Sequence, residues 1–156
     1  MFMTDQDRFY QQLALKLARK AALSHEVPVG AVVVHEGRIV GQGWNRVEKS
    51  NDAALHAEMI ALKQASRKLG RWRLSGCTMY VTLEPCAMCA GAMVLARIDR
   101  LVYAASDPKA GACGSVFNIV EEKRLNHRIG VTRGIMESEA SQLLKEFFKK
   151  RRTGMK

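Results

Sequence analysis

Strand-like and helix-like hydrophobic periods alternate along this chain without a linker between them, and that alternation constrains the fold more than any single motif. Phe9, Leu13, Leu17 and Ala21 recur every four residues among polar neighbours, which predicts an amphipathic helix from 5 to about 25. The runs 28–34 and 38–44 are rich in β-formers and joined through Glu36 and Gly37, so they form a hairpin. Asn51 and Asp52 offer caps for a second helix over about 55–69, which Gly70 ends. Residues 77–84, 86–97 and 100–104 then read as strand, helix and strand. A loop over 106–115 contains Pro108, Gly111 and Gly114, and a last strand over 129–135 precedes a helix over 136–151. Right-handed crossovers place helices on both faces of such a sheet. The expected fold is α/β: three α/β/α layers around a central five-stranded mixed sheet, with strand order left open. At 156 residues the span 1–156 fits one domain, with a basic C-terminal helix and tail over about 136–156.

Composition excludes several classes. Three prolines and twelve glycines fit neither a collagen-like nor a disordered chain. The longest apolar run, 87–96, is about half of what a membrane-spanning helix needs. No membrane partner is expected. The amino-terminal stretch carries Asp5 and Asp7 and leads into no short apolar core, so export is not expected and the cytoplasm is. Lys and Arg total 25 against 15 Asp and Glu, a formal charge of +10 that favours a polyanionic partner or serves solubility. Lys145, Lys149, Lys150, Arg151, Arg152 and Lys156 crowd the carboxyl end beside Phe147 and Phe148. Cations with rings suit nucleic acid, but an amphipathic terminal helix sends its phenylalanines into the core, and that is the expected place of at least one ring.

Two short segments carry the chemistry: His56-Ala57-Glu58 at the start of the second helix and Pro85-Cys86-Ala87-Met88-Cys89 at the start of the third. Three residues apart in a first helical turn, Cys86 and Cys89 project from one face, and the positive helix end favours their thiolates. A lone C-x-x-C also occurs in redox dithiols and in zinc-finger half-sites. No second C-x-x-C or H-x-x-x-H pair is present to complete a structural site. Adding His56 gives three protein ligands for Zn²⁺ and leaves a position for water, with Glu58 near that water as proton carrier. Taken singly, a histidine such as His56 is more often a helix cap or surface residue, and a glutamate such as Glu58 more often an answer to the helix dipole. Together, H-A-E and P-C-x-x-C form the signature of zinc-dependent nucleobase deaminases. His25, His35, His127, Cys77 and Cys113 have no ligand spacing.

The chain resembles the bacterial tRNA-specific adenosine deaminases of the cytidine deaminase-like superfamily over nearly its whole length. The resemblance rests on Glu26-Val27-Pro28-Val29-Gly30-Ala31-Val32, Gly43-Trp44-Asn45-Arg46, His56-Ala57-Glu58, the run 82–92 around Pro85-Cys86 and Cys89, and the loop from Asp107 through Lys109 and Gly111 to Ser115. It implies that His56, Cys86 and Cys89 hold one Zn²⁺ while Glu58 moves protons. It also implies that the wobble adenosine of a tRNA anticodon stem-loop becomes inosine with release of ammonia. Asn45, Asp107 and Phe148 would contact substrate, although Asn45 also reads as a turn residue and Asp107 as a cap before Pro108. The resemblance further implies a homodimer near the third helix, which is apolar nearly all round. One departure stands out: the family usually shows Asp-Pro-Thr-Ala before the histidine, and here Asp52-Ala53-Ala54-Leu55 stands. Two other functions fit part of the pattern, a deaminase of free bases or nucleosides and a non-catalytic zinc-containing RNA-binding subunit. The cations weigh against the first and Glu58 against the second.

Overall fold

The computed structural model describes residues 4–154. Both ends of the expected domain span, and with them the tail cation Lys156, lie outside the described residues. The chain runs α1 (Asp5–Leu23), β1 (Gly30–His35), β2 (Arg38–Trp44), α2 (Val47–Ser50), α3 (Ala57–Leu69), β3 (Cys77–Leu83), α4 (Ala87–Leu95), β4 (Arg100–Ala105), β5 (Gly130–Arg133) and α5 (Glu137–Arg152). Each expected element is present with ends shifted by a few residues, and α2, one turn long, is too short to show a period in the sequence. The start of α1 is fixed by a capping box, in which the Asp7 amide donates to Thr4 Oγ1 and the Thr4 amide to Asp7 Oδ2, both at 3.1 Å. Gly70 ends α3 in the left-handed region, φ 66°.

The five strands lie in the order β2-β1-β3-β4-β5. β1 is antiparallel to β2 and β3, whereas β3, β4 and β5 are parallel, so the sheet is mixed as expected. Alternate side chains divide its two faces. Val32, Val34, Tyr80 and Val102 pack with Tyr10, Ala14 and Leu17 of α1. Ala31, Val33, Met79, Val81 and Leu101 pack with α3 and α4 through Ala57, Ala61, Ala65, Ala90 and Met93. α5 covers the β4 side of the first face through Ala140, its one fully buried residue. Neither Phe147 nor Phe148 enters the core clusters; Phe148 is 40% exposed, and the two rings contact each other edge to face.

Small residues bring α3 down onto the sheet and thereby place its first turn. Ala57, Ala61 and Ala65 are fully buried, and a Cβ on Gly41 of β2 would collide with the Ala61 carbonyl. Only glycine admits so close an approach. Among the described residues no helix is long and apolar enough to cross a membrane.

Candidate active site

α3 and α4 begin at the same end of the sheet, and each has a ligand-type residue in extended conformation at its N-cap: His56 with φ −74° and ψ 153°, and Cys86 with φ −76° and ψ 177°. Cys89 follows in the first turn of α4. His56 Nδ1 lies 3.6 Å from Cys86 Sγ and 3.5 Å from Cys89 Sγ, and the three donor atoms lie within 4.8 Å of one another. The run 52–55 delivers His56 without the proline and threonine usual before it. Asp52 Oδ1 accepts the Ala54 amide at 2.9 Å, and the Leu55 carbonyl accepts the Arg46 amide at 3.1 Å. The turn is closed by an Asx interaction that needs neither of the missing residues.

Two helix N-termini converge on this cluster and favour negative charge there. Hydrogen bonds from Cys89 and His56 lower the Cys86 thiol to about 3, so its sulfur is an anion. The hydrogen bond to Cys86 in turn raises His56. Cys89 is pushed up by that same sulfur and by burial, and it keeps its proton against a thiolate. Two sulfurs and an imidazole that hold a proton among them in this way can hold a divalent metal ion in its place, since the cation satisfies both thiolates at once. The donor set therefore fits a metal centre. Glu58 lies in the first turn of α3, 4% exposed, and burial raises its carboxyl to about 7.

Glu58, His56 and Cys86 line a cavity of about 280 Å³. Asn45 and Asp107 line it too, whereas Phe148 does not; Phe148 lies in an adjoining groove that also borders Asp107. Asn45 Oδ1 accepts the Ala57 amide at 2.9 Å and so helps cap α3. Asp107 Oδ1 accepts the amides of Lys109 and Ala110 at 3.0 and 3.2 Å, a turn-closing role beside its position on the cavity wall.

The family description MafB19-like deaminase matches residues 4–152. The tRNA-specific adenosine deaminase of Bacillus subtilis is 45% identical over 147 residues, covering 94% of this chain and 91% of that protein. That of Aquifex aeolicus is 48% identical, covering 94% and 97%. The chain belongs to the tRNA-specific adenosine deaminase family. A solved structure from a study of A-to-I editing by tRNA:A34 deaminases at the wobble position is 43% identical, with a TM-score of 0.84 over 87% of this chain and 99% of that one. The guanine deaminase of Nitrosomonas europaea shares the fold at 27% identity, with a TM-score of 0.78 over 94% and 86%.

For a member of this family, two buried carboxylates that the motif spacing does not single out shape the cavity walls. Glu84, 2% exposed, takes four hydrogen bonds: from the Asp107 amide (3.0 Å) and Ser115 Oγ (2.5 Å) on Oε1, and from the Cys113 and Ser115 amides (3.0 and 3.1 Å) on Oε2. Burial alone would raise its carboxyl, but these donors outweigh burial and lower it. Glu26, also 2% exposed, accepts the amides of Glu48 and Lys49 and so holds α2. Glu84 sits against Gly111, where a Cβ would strike its carboxylate. Glu84 follows β3 directly, and its partners lie 23 to 31 residues further along the chain, so no local sequence signal marks it.

Proposed function

We propose that this protein is a zinc-dependent hydrolase that converts the wobble adenosine of tRNA anticodon loops to inosine and ammonia; its relatives are named tRNA-specific adenosine deaminases, and a similar solved structure comes from a study of A-to-I editing at the wobble position. One observation carries the proposal: His56 and Cys86 of a His/Cys/Cys cluster line one cavity with the buried Glu58, in a chain whose relatives at 41–48% identity are named tRNA-specific adenosine deaminases. His56, Cys86 and Cys89 would hold the zinc. Tetrahedral coordination at ordinary zinc bond lengths separates N and S ligands by about 3.5 Å, and the 3.6 and 3.5 Å edges of the cluster support that choice. When bound, zinc lowers the pKa of water to near ~7 and so supplies the hydrolytic nucleophile.

The remaining work falls to the protein's own groups. Glu58, buried and with a carboxyl raised to about 7, can accept a proton and return it at neutral pH. It would take one proton from the attacking water and deliver it to the ring nitrogen beside C6, then take the second from the new hydroxyl at C6 and pass it to the departing amine. Water adds at C6, the C–N bond breaks, and ammonia and inosine result. Asn45, with Oδ1 committed to Ala57, would offer its Nδ2 to the nucleotide. Asp107 and Phe148 would hold the neighbouring chain.

Charge favours tRNA over free bases. A free base has no phosphates, while the grooves beside the cavity carry Lys109, Lys145, Lys150, Arg151 and Arg152. The protein would act in the cytoplasm as one deaminase domain over 1–156 and as a homodimer. Met88 and Leu95 of α4, 37% and 70% exposed, together with Val116 and Phe117, support a subunit contact. Ammonia release should be measured from an anticodon stem-loop and from free guanine, cytosine and adenosine. Turnover of the stem-loop alone is expected, and turnover confined to a free base would overturn the assignment. Gel filtration should give a dimer.

A further inference from the structure

The end of α5 divides two grooves, and consecutive aromatic residues face them separately. Phe148 lies in the first, of about 710 Å³, with Lys109, Lys145 and Arg152, and this groove meets the cavity at Asp107. Phe147 lies in the second, of about 760 Å³, with Leu23, Lys49 and Lys150, and this one meets the cavity at Glu48 on α2. Arg151 borders both. Its guanidinium lies 4.9 Å from the centre of the Phe147 ring, 3.4 Å from the His25 carbonyl and 3.6 Å from Glu48 Oε1. The last two contacts tie the end of α5 to the turn after α1 and to α2. The second groove thus has a stacking surface made of ring and guanidinium, an exposed apolar floor in Leu23, and Lys49 and Lys150 without an ion-pair partner among the described residues. Stacking surface plus unneutralised cations is the chemistry of single-stranded nucleic acid contact.

We propose that the Phe147 groove is a second nucleotide subsite, which takes the RNA strand on the side of the target adenosine opposite to the strand held at Phe148. The inference rests on the tRNA assignment above. It adds that the strand crosses the cavity from one groove to the other, so that a substrate needs nucleotides on both sides of the target. Glu48, paired with Arg151, leaves Lys49 and Lys150 as the groups that meet phosphate.

The test combines protein and substrate changes on the zinc-loaded enzyme. The variants are K49A/K150A and Phe147→Leu, and the substrates are the intact anticodon stem-loop and RNAs trimmed either 5′ or 3′ of the target adenosine. On the intact stem-loop, K49A/K150A should raise KM about tenfold with kcat within about twofold, and lower the slope of log(kcat/KM) against log[salt] by about 1.4, the value for two phosphate contacts on a single strand. One trimmed RNA should lose the same factor with the wild-type protein and show no further loss with the variant. The other should still show the full loss. Phe147→Leu should follow the same pattern. Equal losses on all three RNAs would mean that the lysines act only through the general field, and an unchanged KM would mean that the groove is empty in the complex; either result overturns the proposal. Fluorescence anisotropy of labelled stem-loop, read on the same proteins, separates this outcome from a wrong substrate. Binding that depends on Lys49 and Lys150 without turnover would refute the tRNA reaction and leave the subsite standing.

Discussion

Replacing Glu84 by glutamine removes one acceptor from a position that uses both. Oε1 receives the Asp107 amide and the Ser115 hydroxyl, and Oε2 receives the Cys113 and Ser115 amides. A glutamine must turn its NH₂ toward one pair. Turned toward Cys113 and Ser115 it opposes two backbone donors; turned toward Asp107 it opposes one, because the Ser115 hydroxyl can rotate and accept. The second orientation wins, and the loop 106–115 loses its anchor at the Asp107 end. A buried donor left without a partner costs about 1–3 kcal/mol, and each charge-assisted bond that becomes neutral loses about 1 kcal/mol more. Relief of burying a charge offsets part of this, so about 2 kcal/mol of local stability should go.

Two assays read that figure. The amides of Asp107, Cys113 and Ser115 should exchange with solvent about 30-fold faster, the ratio that corresponds to about 2 kcal/mol. If the loop opens only with the whole domain, Tm should fall by about 4–8 °C instead. Asp107 and Ala110 line the cavity, so KM for the stem-loop should rise more than kcat falls. Ser115→Ala removes only the hydroxyl donor and should give the same pattern at smaller amplitude. Unchanged exchange and Tm in both variants would refute the clamp. Loss of metal from Glu84→Gln would show instead that the residue supports Cys86, two positions along the chain.

Three further outcomes follow from the site and the core. Glu58→Ala should lower kcat by at least ~10²-fold while metal analysis still finds one ion per chain, and retained turnover would contradict the proton-carrier role. Cys86→Ala or His56→Ala should lose the metal together with activity, as should treatment of the wild-type protein with a strong chelator; an active metal-free protein would sink the mechanism. Asp7, 1% exposed, pairs with Arg100 through two bonds of 2.7 and 2.8 Å and accepts the Tyr80 hydroxyl at 2.8 Å. Burial would raise its carboxyl, but these bonds with the Thr4 amide outweigh burial and lower it. Its contribution is therefore complete above the unfolded value near pH ~4 and is lost as pH falls through the lower folded value. Denaturant unfolding should show Asp7→Asn less stable than wild type by about 3 kcal/mol at pH 7, with the gap closing in acid; a gap that does not change with pH would exclude charge as its origin.

What could be read from the sequence, and what could not, divides along the range of the interactions involved. The five strands and the cysteine pair at the start of α4 follow from periods and spacings within short segments, since β-alternation, helix caps and a C-x-x-C turn are all local. Strand order is set by long-range pairing, such as Ala31 with Val81, and no local signal encodes it. The same limit hid Glu84. Its partners lie 23 to 31 residues away, so its neighbours in sequence give no hint that its carboxylate organises the 106–115 wall. Phe147 and Phe148 show the converse case. The amphipathic pattern put at least one ring in the core, and neither is there, because Ala140 supplies the buried contact of α5 and Arg151 stacks on Phe147 beside the second groove. Cys86 and Cys89 were thus legible as a donor pair because their geometry is made within one helical turn, whereas His56 meets them only across 30 residues of folded chain. The walls that would admit RNA are assembled from α1, α2, α5 and the loop after β4, and only the folded chain brings them together.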